Sequence, residues 1–287
     1  MHLINKFIPV LLVGIIMSCQ SGKIEKETNL ISVSILPQKY FIERIAGHDF
    51  KVNVLIPPGV SPATYEPTPM QMKDVAKSIA YFRIGHIPFE TVWLNNLVEG
   101  AGEIKIVDLS KGIDLIKGIE KHGDHVHEGG IDPHIWSSFK SVKILSSNLF
   151  QELVKLAPEK KKIYEQNYQQ FLSELEEMDK LAEASLIHKK GMSFMIFHPA
   201  LTYLARDYGL HQISVELDGK EPSPTHMKHL VEEAKRLEIK QVFVQKQFNV
   251  ENAKAIVAEI DGEVVLIDPL TEDWLSEMKR IINILKD

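Results

Sequence analysis

The chain has 287 residues, 44% hydrophobic, 25% charged and 8% aromatic, a balance that excludes a wholly disordered protein and a length that favours two lobes over one core. Its 33 Lys and Arg against 39 Asp and Glu leave a net charge of −6 with the basic residues scattered, which disfavours a nucleic-acid-binding face. The single cysteine rules out an intrachain disulfide framework, a Cys-rich zinc finger, an iron–sulfur cluster and a CxxC redox pair, so any metal must be held by His and carboxylates.

The N-terminus carries Lys6, an apolar run from Phe7 to Met17 and the small-residue stop Ser18-Cys19. The run is too short to span a bilayer and has the zones of an export signal over residues 1–18. The segment Ile16-Met17-Ser18-Cys19 resembles a bacterial lipobox, which implies lipid attachment at Cys19 and, through loss of Lys6, a mature charge of −7. Residues 19–29 are mostly polar and read as a flexible tether. An extracytoplasmic protein, lipid-anchored to a bacterial membrane on its periplasmic or cell-surface side, is expected.

From Leu30 short apolar, β-branched runs alternate with helical patterns. Strands are predicted at Ile31–Leu36, Lys51–Ile56, Ile79–Ile84 and Ile104–Leu109, with helices at Tyr40–Ala46, Met70–Ser78 and Phe89–Val98. A helix at Ser138–Leu156 follows. Pro158 then opens a long polar helical pattern in which Tyr164, Tyr168, Phe171, Leu175, Met178 and Ala182 recur at spacings of four and three. Beyond Gly191 strands are expected at Ser193–His198, Gln212–Leu217, Gln241–Gln245 and Val264–Ile267, and helices at Ala200–Tyr208, Pro224–Leu237, Val250–Ile260 and Glu272–Leu285. The fold class is therefore α/β: two lobes, each with a parallel sheet flanked by helices, joined by one long backbone helix. The expected divisions are an N-terminal lobe over 30–157, the linking helix over 158–190 and a C-terminal lobe over 191–287, the first lobe including a His-rich loop at 120–130.

Ligands of open α/β sheets bind beyond the carboxyl ends of strands. Metal-competent side chains stand there at His86, His134, His198 and Asp268, two in each lobe. Three imidazoles and a carboxylate complete a four-coordinate shell that suits zinc and leaves no open position, as a carrier rather than a hydrolase requires. Taken singly, a histidine at a strand end is more often a hydrogen-bonded structural residue, and Asp268 before Pro269 has the rival reading of a turn cap. His48, His188, His211, His226 and His229 read as solvated surface. A separate tract, Glu120 to Gly130, carries His122, His125 and His127 with two further acids and little to bury. Such histidines bind zinc weakly and form an auxiliary metal loop.

Six segments then carry a resemblance that covers nearly the whole chain after the tether: PPGVSPATYEPTPMQM from Pro57, GHIPFETVWL from Gly85, DPHIW from Asp132, FHPALTYLARDYGL from Phe197, ELDGKEPSP from Glu216 and IDPLTEDW from Ile267. The sequence resembles the substrate-binding lipoproteins of zinc- and manganese-importing ABC transporters, a metal-binding solute-binding protein family with an inter-lobe backbone helix. That resemblance implies metal ligands at His134, His198 and Asp268, and docking on an ABC permease with a cytoplasmic ATPase subunit. It also implies that a His- and acid-rich loop before the DPHIW-like segment marks the zinc-importer type. One departure stands out: where the family has a ligand histidine two residues before the tyrosine, this chain has Ala63 before Thr64-Tyr65. His86 is the expected replacement, with Glu66 or water as the alternative.

The expected function is capture of Zn²⁺ as transported ligand by a monomer that neither binds nucleic acid nor catalyses a reaction. Mn²⁺ or ferrous iron is the closer rival. A zinc-dependent hydrolase, for which no HExxH pattern is present, and a surface adhesin are more distant ones. The chain has no GxxxxGK[ST] phosphate loop with which to power transport itself.

Overall fold

The computed structural model describes residues 27–93, 104–122, 125–217 and 220–287. The export signal at 1–18, Cys19 and the first part of the tether lie outside the described residues, as do positions 94–98 of the third expected helix and 123–124 of the His-rich tract. In chain order the first lobe contains β1 (Leu30–Val33), α1 (Leu36–Ala46), β2 (Lys51–Val54), α2 (Pro69–Ala76), β3 (Ala80–Arg83), α3 (described over 88–93) and β4 (Lys105–Asp108). A hairpin of β5 (Lys117–His122) and β6 (His125–Ile131) follows, then a 3-10 turn over Ile135–Ser137, α4 (Phe139–Leu156) and the joining helix α5 (Lys161–Leu186). The second lobe contains β7 (Ser193–Ile196), α6 (Thr202–Tyr208), β8 (His211–Ser214), α7 (Pro224–Arg236), β9 (Gln241–Gln245), α8 (Glu251–Glu259), β10 (Glu263–Ile267) and α9 (Trp274–Lys286).

Both lobes are built on four-stranded, all-parallel sheets, with orders β2-β1-β3-β4 and β10-β9-β7-β8. Counted within each lobe this is the same order, second-first-third-fourth, so the first and third strands are central and the connections diverge between them. The central strands are buried on both faces, which explains their near-continuous apolar runs: Leu30, Ile31 and Val33 of β1 and Val242, Phe243 and Val244 of β9 are all buried.

Helix starts follow side-chain chemistry. Thr68 accepts from the Gln71 amide at 3.3 Å while Gln71 Oε1 accepts from the Thr68 amide at 2.9 Å, a reciprocal cap just before Pro69. Ser138 caps α4 by accepting from the Ser141 amide, and Ser223 caps α7 by accepting from the His226 amide. The first strand ends earlier than Leu36 because Gln38 captures the backbone. Its Oε1 accepts from the amides of Ser34 (2.9 Å) and Ile35 (3.1 Å), and its Nε2 donates to Phe82 O (2.8 Å), so the chain turns into α1 at Leu36.

The tract 120–130, expected as a loop, is a two-stranded antiparallel hairpin over its described residues. Ile119 and Val126 favour extended backbone, and Gly123-Asp124 is a dipeptide suited to a two-residue connection. Its register pairs His122 with His125 and Glu120 with His127.

The two lobes share one hydrophobic core around α5. That helix's 26 residues span about 39 Å and bury Tyr164, Phe171, Leu175, Met178, Ala182 and Leu186. Phe41 from α1 stacks on Phe171 at 6.0 Å and meets Trp274 of α9 edge-on at 5.0 Å. Trp274, fully buried, also packs on Phe139 at 5.7 Å and donates Nε1–H to Trp136 O at 2.9 Å. The C-terminal helix thus grips the turn that follows His134. A second cluster, including Met195, Val215, Leu230, Val242, Val244 and Ile256, lies wholly within the second lobe.

Candidate metal centre

The strand order decides which strand ends face one another. In a parallel sheet the crevice lies where connections diverge, here between β1 and β3 in one lobe and between β7 and β9 in the other. His86 follows β3 and His198 follows β7, so both belong to switch-point strands. His134 comes from the segment between the hairpin and α4. These three histidines line one cavity of about 360 Å³ with Pro62, Ala63, Pro88, Thr91, Gly130, Ile131 and Pro133.

Two of the imidazoles meet. His134 Nε2 and His198 Nε2 are 3.1 Å apart, with the rings at 72° to each other. Each ring is fixed from behind by a carboxylate: His134 Nδ1 lies 2.8 Å from Asp132 Oδ1, and His198 Nδ1 lies 2.7 Å from Glu216 Oε1. A carboxylate only accepts, so each Nδ1 donates a proton to it and each ring turns its Nε2 toward the other. Two imidazole nitrogens so placed are held together by a proton or a metal ion between them. On a tetrahedral zinc with Zn–N distances of 2.0–2.1 Å, two imidazole nitrogens are about 3.3 Å apart, close to the spacing here.

The supports come from both lobes, with Glu216, Gln245 and Tyr203 buried and Asp132 partly so. Asp132 Oδ1 also accepts from the His134 amide at 2.8 Å, and Tyr203 of α6 donates to Asp132 O at 2.7 Å while accepting from the Ile116 amide at 3.1 Å. Burial raises the Asp132 carboxyl pKa, but its contacts with His134 outweigh that and hold it below the usual aspartate value. Gln245, almost fully buried at the end of β9, donates to His198 O at 2.6 Å and accepts from the His198 amide at 3.3 Å. The His198 ring stacks on Phe248 at 5.1 Å. Burial lowers the His198 pKa against the pull of Glu216, and proximity to His134 adds to the lowering, so the ring is held in its ligand-competent neutral form.

His86 stands on the same wall, half-buried. Burial lowers its pKa despite the opposing charge of Asp108, and the charge of Arg83 lowers it further. The backbone before it is held by Glu90, a fully buried carboxylate of α3 that accepts from the amides of Ile84 (2.9 Å) and Gly85 (2.7 Å) and from the Ser34 hydroxyl. Burial pushes the Glu90 pKa up to about 7 against these hydrogen bonds and the charge of Arg83.

Asp268 is not brought into this cavity. It lines a separate gap of about 30 Å³ between the lobes, beside Pro57, Pro58 and Gly59, and its Oδ2 lies 3.3 Å from Lys246 Nζ. The reason is topological: β10 is the edge strand, two strand spacings or about 10 Å from β7. Among the described residues no three or more His, Cys, Asp or Glu side chains converge closely enough to hold an ion. The exposed Glu66 does not line the cavity, whereas Ala63 does.

Residue types alone missed Asp132, Glu216, Gln245 and Tyr203 as supports. Asp132 had a local signal, an acid two residues before His134. Glu216 had a weaker one, an acid directly after an apolar run. Neutralising either carboxylate should leave its imidazole free to rotate. Asp132→Asn and Glu216→Gln are each expected to weaken zinc binding by about 10- to 100-fold, read by competitive titration against a chromophoric chelator.

The family model described as zinc-uptake complex component A, periplasmic, matches residues 31–287. The Bacillus subtilis high-affinity zinc uptake system protein ZnuA is 26% identical over 277 residues, covering 90% of this chain and 86% of its own length. Streptococcus pyogenes zinc-binding protein AdcA is 26% identical over 269 residues, and the chain spans 52% of that longer protein. A crystal structure of ZnuA superposes with a TM-score of 0.80 at 37% identity, covering 91% of this chain and 98% of that one. A two-lobed parallel fold with a long joining helix, paired imidazoles between the lobes and a family match over nearly the whole described chain agree, and the protein belongs to the periplasmic zinc-uptake component A family of solute-binding proteins.

Proposed function

We propose that this chain is the lipid-anchored, extracytoplasmic binding component of an ABC importer, which captures Zn²⁺ between its lobes and hands it to a membrane permease driven by a cytoplasmic ATPase. The observation that carries the reading is the pair of Nε2 atoms 3.1 Å apart, each on a ring whose Nδ1 is tied to a carboxylate. His134 and His198 supply the first two bonds and His86 the third from the same cavity wall; Asp268, the fourth group of the expected shell, has to leave Lys246 and move in from its separate gap to join them. Nitrogen-rich coordination favours zinc over manganese. The continuous α5 and the core common to both lobes favour a small tilt over a wide hinge motion. The hairpin residues His122, His125 and His127 act as an auxiliary, weaker collecting site. Cys19 carries the lipid, residues 20–29 tether the lobes to the membrane, and the protein works as a monomer.

The test is metal analysis with competitive Zn²⁺ and Mn²⁺ titration of the wild type, His86→Ala and Ala63→His. Zinc is expected to bind more tightly than manganese, His86→Ala to weaken zinc by about 10-fold or more, and Ala63→His, which adds an imidazole to the cavity wall, to tighten it. Full zinc affinity in His86→Ala would remove that residue from the shell.

Acid should release the ion, because protons compete for Nε2. For His198 the sign is set by its lowered pKa: the ring stays neutral below the ordinary histidine value of about 6.5. Affinity is therefore expected to hold near pH 7 and to fall steeply at lower pH, which titration at stepped pH measures.

A further inference from the structure

The segment before His86 is held from two sides. Gly85 adopts φ +116°, a conformation side chains rarely take, and a Cβ there would lie 2.8 Å from Ser110 Oγ and 3.0 Å from Asp108 Oδ1. From the other side the Glu90 carboxylate takes both the Ile84 and Gly85 amides, one oxygen to each. The Ser34 hydroxyl, at the end of the neighbouring central strand, donates to Glu90 and is in turn 2.7 Å from Tyr81 Oη. A carboxylate wholly removed from water is costly unless it is well paired, so apolar packing at this position would be the less demanding choice for stability alone.

We infer that Glu90 is a positioning residue for metal capture: it clamps the Ile84-Gly85 backbone so that the next residue, His86, is presented to the cavity it shares with His134 and His198. Glu90 does not touch the ion. It fixes where the first-lobe imidazole starts, which lowers the ordering cost of completing the shell. The inference rests on the proposed metal-binding role of His86.

The experiment is a double-mutant cycle read by zinc titration: wild type, Glu90→Gln, His86→Ala and the double variant, with the thermal midpoint of each metal-free protein measured alongside. Gln keeps the shape and one acceptor but loses the second. Glu90→Gln is expected to weaken zinc by about 10-fold in the wild-type background and by less than about 2-fold once His86 is alanine. Any loss of metal-free stability should be the same in both backgrounds. Should Glu90→Gln fold poorly, Ser34→Ala, which removes only the hydroxyl partner, carries the same cycle with a smaller expected loss of about 2- to 5-fold. The Co²⁺-loaded visible spectrum should shift in Glu90→Gln toward that of His86→Ala.

Equal weakening by Glu90→Gln in both backgrounds, or none in either, overturns the inference while leaving His86 a ligand. If His86→Ala itself binds zinc as tightly as the wild type, both the inference and the His86 reading fall.

Discussion

Replacing His198 or His134 with alanine is expected to lower zinc affinity by at least about 100-fold, more than loss of either supporting carboxylate, because a bond to the ion is removed and not merely its orientation. The two losses should be strongly non-additive. Each ring brings one of the two Nε2 atoms that meet at 3.1 Å, so once one is gone the other has no partner across the cleft. Metal-free stability should fall modestly, since each variant strands the carboxylate that paired with the lost ring's Nδ1. Isothermal titration together with thermal melts of the metal-free proteins checks both halves. A modest, additive loss of affinity would mean the ion is held elsewhere.

Trp274→Ala is expected to destabilise the protein by about 3–5 kcal/mol, among the larger effects open to a single core substitution. Trp274 is fully buried and touches Tyr40, Phe41 and Phe139, so truncation opens a cavity that rigid elements of both lobes cannot collapse to fill. It also leaves Trp136 O without its donor, beside the turn that carries His134. Reduced stability should therefore come with weaker zinc binding, and added zinc should recover part of the lost thermal midpoint by mass action. Chemical denaturation with and without zinc measures the two effects. Trp274→Phe, which keeps the ring contacts but not the donor, should cost less than the alanine variant while still weakening zinc.

Much of the fold was legible because its signals are local. Apolar β-branched runs, the Ser223-Pro224 start of α7 and the long stripe from Tyr164 to Ala182 all act within a few residues of themselves, and strands, cap and joining helix follow from them. The histidines at 86, 134 and 198 could be picked out for the same reason: each stands next to a recognisable element end. The early close of β1 was less legible, since Gln38 folds back on Ser34 and Ile35 and reaches over to Phe82 on another strand.

Local patterns along the chain specify two runs of strand–helix alternation, a connecting helix and a set of metal-competent side chains at their ends. How those ends are shared out follows from packing between distant segments. Strand order is a matter of which surfaces pack across distant parts of the chain, and no local periodicity encodes it. That order made β3 and β7 central and β10 an edge, which brings His86 and His198 to one cavity and leaves Asp268 beside Lys246. It also brought Glu216 behind His198, Tyr203 beneath Asp132 and Glu90 under the backbone before His86, partners separated by 18, 71 and 5 to 6 positions and joined by hydrogen bonds that form only once the sheets and helices have packed.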